Sequence, residues 1–208
     1  MLLDSSAVIE DIRALQKSAL VSLAFFYCDF RDDQKRDCRG LLSSLLVQLG
    51  KQSDAYSVKL SGFYEAHASG SGSEYASENE LLVCLKDMLK HPGQATVHII
   101  IDALDECPTT RADLSRPREK VLALVKELVD LQIPNLRICV TSRPEDDIKT
   151  ILGPLAFHTV TLEDEGGQVE DIAEYVKNFV NTDSKMQKWK DTDKEMVIDV
   201  LSKKANGM

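Results

Sequence analysis

The sequence has no CxxC pair and no cluster of histidines. Its five cysteines (Cys28, Cys38, Cys84, Cys107, Cys139) and four histidines (His67, His91, His98, His158) are widely scattered. That scatter excludes a zinc-ribbon or zinc-finger framework, and an odd number of distant thiols fits small core hydrophobes in a reducing compartment better than a disulfide scaffold. The opening Met1-Leu2-Leu3-Asp4 has no basic stretch and only a brief apolar one, so no signal peptide is expected. No window approaches the roughly 18 apolar residues of a membrane span. Positive charge is also in short supply: 25 Lys+Arg against 34 Asp+Glu leave a formal charge of −9, the wrong sign for broad neutralisation of a phosphate backbone. The expectation is a cytoplasmic chain with no nucleic-acid and no membrane partner.

What is present is the balance of a globular protein. The 208 residues are 43% hydrophobic and 28% charged, enough for one domain, or one plus an appendage, around a single core. Apolar runs at 19–27, 97–101, 136–141 and 157–162 read as strands buried on both faces. Between them lie helical stripes. Val8, Ile9, Ile12 and Leu15 form one, and Leu41, Leu42, Leu45, Leu46 and Leu49 form another, which Gly50 can end in the left-handed conformation. Ser77 and Glu80 make a capping box ahead of Leu81, Leu82, Leu85, Met88 and Leu89, and Pro117 opens a helix through Val121, Leu122, Val125, Leu128 and Val129. The Ser-Gly repeat within 66–76 is a loop, and His98 is expected to be a hydrogen-bonded core or edge histidine. Strands alternating with helices predict an α/β fold with a three-layer parallel sheet over residues 1–165. Gly166-Gly167 is a hinge into a helical segment, 166–208.

The chemistry is concentrated at strand ends. The run Val97-His98-Ile99-Ile100-Ile101-Asp102-Ala103-Leu104-Asp105-Glu106 delivers three carboxylates within five residues of a buried strand's C-terminal end, where open parallel sheets bind their ligands. An acid at such an end can hold Mg²⁺ through water, and a second can orient the water that attacks a γ-phosphate. Arg143 follows the 136–141 strand and emerges on the same edge, where a guanidinium can bind phosphate through two parallel hydrogen bonds. The plainer alternatives are a βα loop with acids near a helix start, and a surface arginine paired with Glu145 or Asp146. Cys107, beside the acids, is expected to be structural, because neighbouring carboxylates disfavour its thiolate. The lone Gly-Lys dipeptide, Gly50-Lys51, has Leu45 where a phosphate loop needs its first glycine and Gln52 where it needs Ser or Thr.

On LAFFYCDFRD at 23–32, IIIDALDEC at 99–107, NLRICVTSRP at 135–144 and DIAEYV at 171–176, the sequence resembles the NACHT-type signal-transduction NTPases of the STAND class, in the fungal group with a nephrocystin-like N-terminal region. The resemblance implies a P-loop NTPase fold in which residue 1 follows closely on the Walker A loop, so that the first strand and the P-loop are absent and the last residues begin a helical lid. It implies Asp102 as the magnesium-side Walker B carboxylate, Asp105 and Glu106 as the acids beside the attacking water, with Glu106 as the base, and Arg143 as the sensor. Mg²⁺ with ATP or GTP would be the cofactor of an intact domain. Without Walker A, binding by this chain should be weak or absent, and turnover is not expected. Partners would be other proteins, met through NACHT oligomerisation or as a full-length relative. The competing reading is a non-enzymatic interaction or regulatory module derived from such a protein. The absent strand would lie between 136–141 and 157–162, so either a rearranged sheet or a marginally stable one is expected.

Overall fold

The computed structural model describes residues 5–18, 20–68, 76–92, 95–110, 115–161 and 168–204. The chain divides into two compact units, one formed by Ser5–Phe157 and one carrying His158 onward. The first runs α1 (Ser5–Gln16), β1 (Val21–Tyr27), α2 (Cys38–Gly50), α3 (Asp54–Ala68), α4 (Glu78–Leu89), β2 (Thr96–Asp102), α5 (Pro117–Asp130), β3 (Leu136–Val140) and α6 (Asp146–Leu152). The second holds α7 (Gln168–Thr182) and α8 (Asp191–Lys204). Among the described residues no helix is long and apolar enough to cross a membrane.

The sheet is parallel throughout, in the order β1-β2-β3, with Phe26 opposite Ile101 and Ile101 opposite Val140. Strand alternation sends Ala24, Phe26, Ile99 and Ile101 to one face, where they meet Leu41, Leu42, Leu45 and Leu49 of α2, Leu85 of α4 and Val121 of α5. Leu23 and Ile100 point to the opposite face and pack with Ile9 of α1. Each fully buried leucine or isoleucine contributes roughly 1.5–3 kcal/mol, which makes β2, buried on both faces, the spine of this unit.

Helix boundaries follow the local chemistry. Asp37 caps α2 by accepting from the Gly40 N–H at 2.9 Å. The capping box that opens α4 is complete: Ser77 Oγ accepts from the Glu80 N–H at 3.3 Å, and Glu80 Oε2 accepts from the Ser77 N–H at 2.7 Å. Gly50 does not end α2 in the left-handed conformation as its sequence position suggests. It is the last helical residue, the following Lys51 is right-handed, and a Cβ at residue 50 would lie 2.7 Å from Leu60 Cδ2. At this position α3 approaches closely through the end of the Leu60 side chain. That helix is weakly patterned, burying Tyr56 and half-burying Leu60 and Phe63 while Val58 and Tyr64 stand 72% exposed.

The two edges of the sheet differ. On β1, Gln48 and Gln52 of α2 reach across. The Leu23 N–H donates to Gln52 Oε1 at 2.8 Å and the Phe25 N–H to Gln48 Oε1 at 3.1 Å. The two amide nitrogens donate back to the Leu23 and Phe25 carbonyls. Two side-chain amides thus take up the outward backbone groups of Leu23 and Phe25 on that edge. On β3 no further strand pairs among the described residues. The fourth strand expected over 157–162 is not formed across its described part: residues 157–161 have no regular structure and are exposed, Phe157 by 93%. Residue 162 lies outside the described residues. A strand persists only where a neighbour takes its backbone bonds, and here β3 ends the sheet.

Candidate functional site

The C-terminal ends of the three strands form one rim, and Thr141, just past β3, ties two of them together. Its hydroxyl donates to Asp102 Oδ1 and accepts from the Ala103 N–H at 3.1 Å, while its carbonyl accepts from the Leu104 N–H at 3.0 Å. The Cys28 N–H in turn donates to the Asp102 carbonyl at 3.0 Å, which fixes the end of β1 to the same point. Ala103 is left-handed, with φ of 54°, a conformation that costs a non-glycine residue about 1 kcal/mol or more and that is held only where surrounding bonds determine it. It turns the chain into a single 3₁₀ turn, Leu104–Glu106, anchored by the fully buried Leu104. Asp102, Asp105 and Glu106 are all left half-buried on the rim.

Arg143 pairs with neither Glu145 nor Asp146. Its backbone N–H donates to Asp105 Oδ1 at 3.0 Å, and its Nε stands 3.5 Å from Asp105 Oδ2. The arginine side chain is 83% exposed and the aspartate 12%. The acid loop after β2 and the arginine after β3 are therefore in contact, and Asp102 and Arg143 share one edge of the sheet. Asp105 is engaged in this link.

Two further charged groups at the rim escaped the sequence reading. At the end of β1, Arg31 grips Asp29 with Nε at 3.0 Å and Nη2 at 3.1 Å, and these bonds hold the Asp29 carboxyl below its usual value. Arg31 is held in its charged form by Asp29 and, more weakly, by Glu106. The signal was the DFRD run following an apolar strand. Arg118, in the first turn of α5, is 8% exposed. Its Nε donates to the Cys107 carbonyl at 2.8 Å, its Nη2 to the Asp105 carbonyl, and its Nη1 faces Asp147 at 3.4 Å. Nothing in the local pattern marks it, since an arginine early in a helix reads as solvent-facing.

Cys107 is fully buried and donates its S–H to the Arg36 carbonyl at 3.0 Å. The neighbouring Cys28 thiol is pushed up by its hydrogen bond with Cys107 and then by burial, which suits packing and not nucleophilic chemistry. His98 departs from expectation at Nδ1, which is buried with no hydrogen-bond partner among the described residues, and burial, followed by the charge of Arg137, lowers its pKa. Apolar grooves lie elsewhere, flanking Phe63, one toward Val83 and Cys84 of α4 and one toward Leu46 and Val47 of α2.

Among the described residues no group of three or more His, Cys, Asp or Glu side chains could hold a metal ion. Of the Asp102 carboxylate, Oδ1 is bound by the Thr141 hydroxyl.

The family model described as nephrocystin 3, N-terminal, matches residues 4–143, a span that includes all three strands and the whole rim. No curated protein and no solved structure matches the chain.

Proposed function

The chain belongs to the nephrocystin 3 N-terminal family, and on that premise we propose that it is a NACHT-associated nucleotide-responsive module carrying a Walker B acid cluster and a sensor arginine. The observation that supports this most is the pair of links along the rim, Thr141 to Asp102 and Arg143 to Asp105, which gather the acids and the guanidinium where a parallel sheet takes its ligand. Asp102 would hold a magnesium ion through water. Magnesium would neutralise phosphate charge. Glu106 would accept the proton of an attacking water, Asp105 would fix the loop, and Arg143, whose side chain is largely in solvent, would turn from Asp105 to a γ-phosphate of ATP or GTP.

Within these 208 residues there is no Gly-x-x-x-x-Gly-Lys-Ser/Thr. The backbone N–H groups and lysine of that loop carry much of the phosphate binding, so this chain by itself should bind nucleotide weakly and turn over none. Its partners would be proteins of the same kind, joined through NACHT oligomerisation, and the segment carrying α7 and α8 would be the start of the helical lid. Preceding residue 1 with a strand and a Walker A loop should create ATPase activity that Glu106→Gln lowers by about 100-fold or more. Equal turnover in the variant would contradict the role of Glu106.

A second reading has one observation in its favour: among the described residues no strand pairs with the outer edge of β3, whereas the Leu23 and Phe25 backbone of the opposite edge is bonded by glutamine side chains. It is a non-enzymatic regulatory module that contacts a full-length relative. In that case the chain would bind the relative equally well with and without Mg-ATP.

A further inference from the structure

The chain between Ala103 and Pro108 must place Glu106 at the rim. It is too short to pack a core of its own, and Leu104 and Cys107 are its fully buried anchors. On the far side the backbone carbonyls of Asp105 and Cys107 point inward, and both are taken by one guanidinium. We propose that Arg118 is the positioning residue of the acid loop, clamping the main chain on either side of Glu106 so that its carboxylate is presented at the rim. The proposal deepens the nucleotide-site reading and rests on it for the meaning of Glu106, but the clamp itself can be tested without nucleotide.

The geometry suits arginine alone. Nε reaches the Cys107 carbonyl at 2.8 Å and Nη2 the Asp105 carbonyl, which places two donors of one planar fork on residues 105 and 107. The third nitrogen, Nη1, faces both oxygens of Asp147 at 3.4 and 3.5 Å. Asp147 lies in the first turn of α6, four residues after Arg143, so the same side chain also ties the acid loop to the segment that carries the sensor. The backbone joins in: the Arg118 N–H donates to the Pro108 carbonyl at 3.0 Å, which fixes the start of α5 to the end of the loop. A buried arginine costs much desolvation and persists where its nitrogens find partners; here two carbonyls and a carboxylate give each of the three nitrogens one. A lysine could serve one carbonyl but not two together with the carboxylate.

The test is amide hydrogen exchange on the full chain, followed at residues 104–107, at 143–147 and, as an internal reference, in α2. Loss of charge-assisted bonds to both carbonyls should speed exchange at 104–107 by about tenfold or more in Arg118→Met, with α2 unchanged. Arg118→Lys should recover only part of that protection. Asp147→Asn, which leaves the two carbonyl bonds in place, should loosen 143–147 more than 104–107. Unchanged exchange at 104–107, a uniform rise that includes α2, or full rescue by lysine would overturn the clamp. The chain preceded by a strand and a Walker A loop examines the other premise separately: a clamp that behaves as described, with equal ATP turnover in that extended chain and its Glu106→Gln variant, removes the nucleotide role of Glu106 and leaves Arg118's positioning of the loop intact.

Discussion

The carboxylate of Asp105 and the backbone N–H of Arg143 meet at 3.0 Å across 38 residues of sequence, while the arginine's own side chain stands mostly in solvent. The link between the two strand ends is therefore carried by the main chain of residue 143 and only secondarily by its charge. Asp105→Ala should cost about 0.5–1.5 kcal/mol, because it removes the acceptor of the Arg143 N–H as well as the ion pair, whereas Arg143→Ala, which keeps that backbone bond, should cost about 0.5 kcal/mol or less, as exposed ion pairs do. Urea unfolding of the two variants checks this; equal losses would mean that the ion pair, and not the backbone bond, holds the rim together.

The closed edge of β1 makes a separate prediction. Gln52→Leu removes the acceptor and donor that serve the Leu23 backbone, and should cost about 1–3 kcal/mol while opening an edge for strand pairing. Gln48→Leu should do the same at Phe25. Sedimentation velocity should show concentration-dependent association in the double variant beyond that of the parent. A double variant as stable and as dispersed as the parent would show that the glutamine amides are incidental.

The junction of α3 and α4 predicts a pH dependence. His67 Nδ1 faces the Phe63 carbonyl at 2.7 Å and Nε2 faces Glu80 Oε1 at 3.3 Å. Both neighbours are acceptors, so the imidazolium, with a proton on each nitrogen, is the form that fits. The Phe63 carbonyl first, and Glu80 after it, hold the His67 pKa above its ordinary 6.5. A folded-state value above the unfolded one means that this contribution is fully present below pH 6.5 and is lost as pH rises through the folded value. Glu80 is held down to about 2, chiefly by Ser77, so its contribution is present above its usual 4.5 and is lost as pH falls toward 2. Urea midpoints of the parent should decline from pH 5.5 to pH 8.5 more than those of His67→Gln. Parallel pH profiles for the two chains would contradict the assignment.

Much of this fold is written in local patterns. The apolar runs that became β1, β2 and β3 are continuous because both faces of the strands are covered, and the Ser77–Glu80 box that opens α4 is a backbone device readable from four residues. The position of the acids at the rim was legible for the same reason: they follow directly on a continuous apolar run, so they had to lie at the end of a buried strand. What escaped depends on partners distant in sequence. α3 buries too narrow a stripe to show a period, and Gly50 answers to Leu60, which lies on that unseen helix. Arg118 reads as solvent-facing until the carbonyls of residues 105 and 107 are known to point at it. The segment 157–161 has the composition of a strand, but composition cannot supply the neighbour that a strand requires.

The most direct measurement uses Mn²⁺ in place of Mg²⁺ with ATP at millimolar concentration, and follows paramagnetic broadening of the amide resonances of the full chain. The account predicts broadening centred on residues 102–106 and 141–143, and its loss in Asp102→Asn. Broadening that is spread evenly over the chain, or that persists unchanged in Asp102→Asn, would contradict a metal-nucleotide site at the rim.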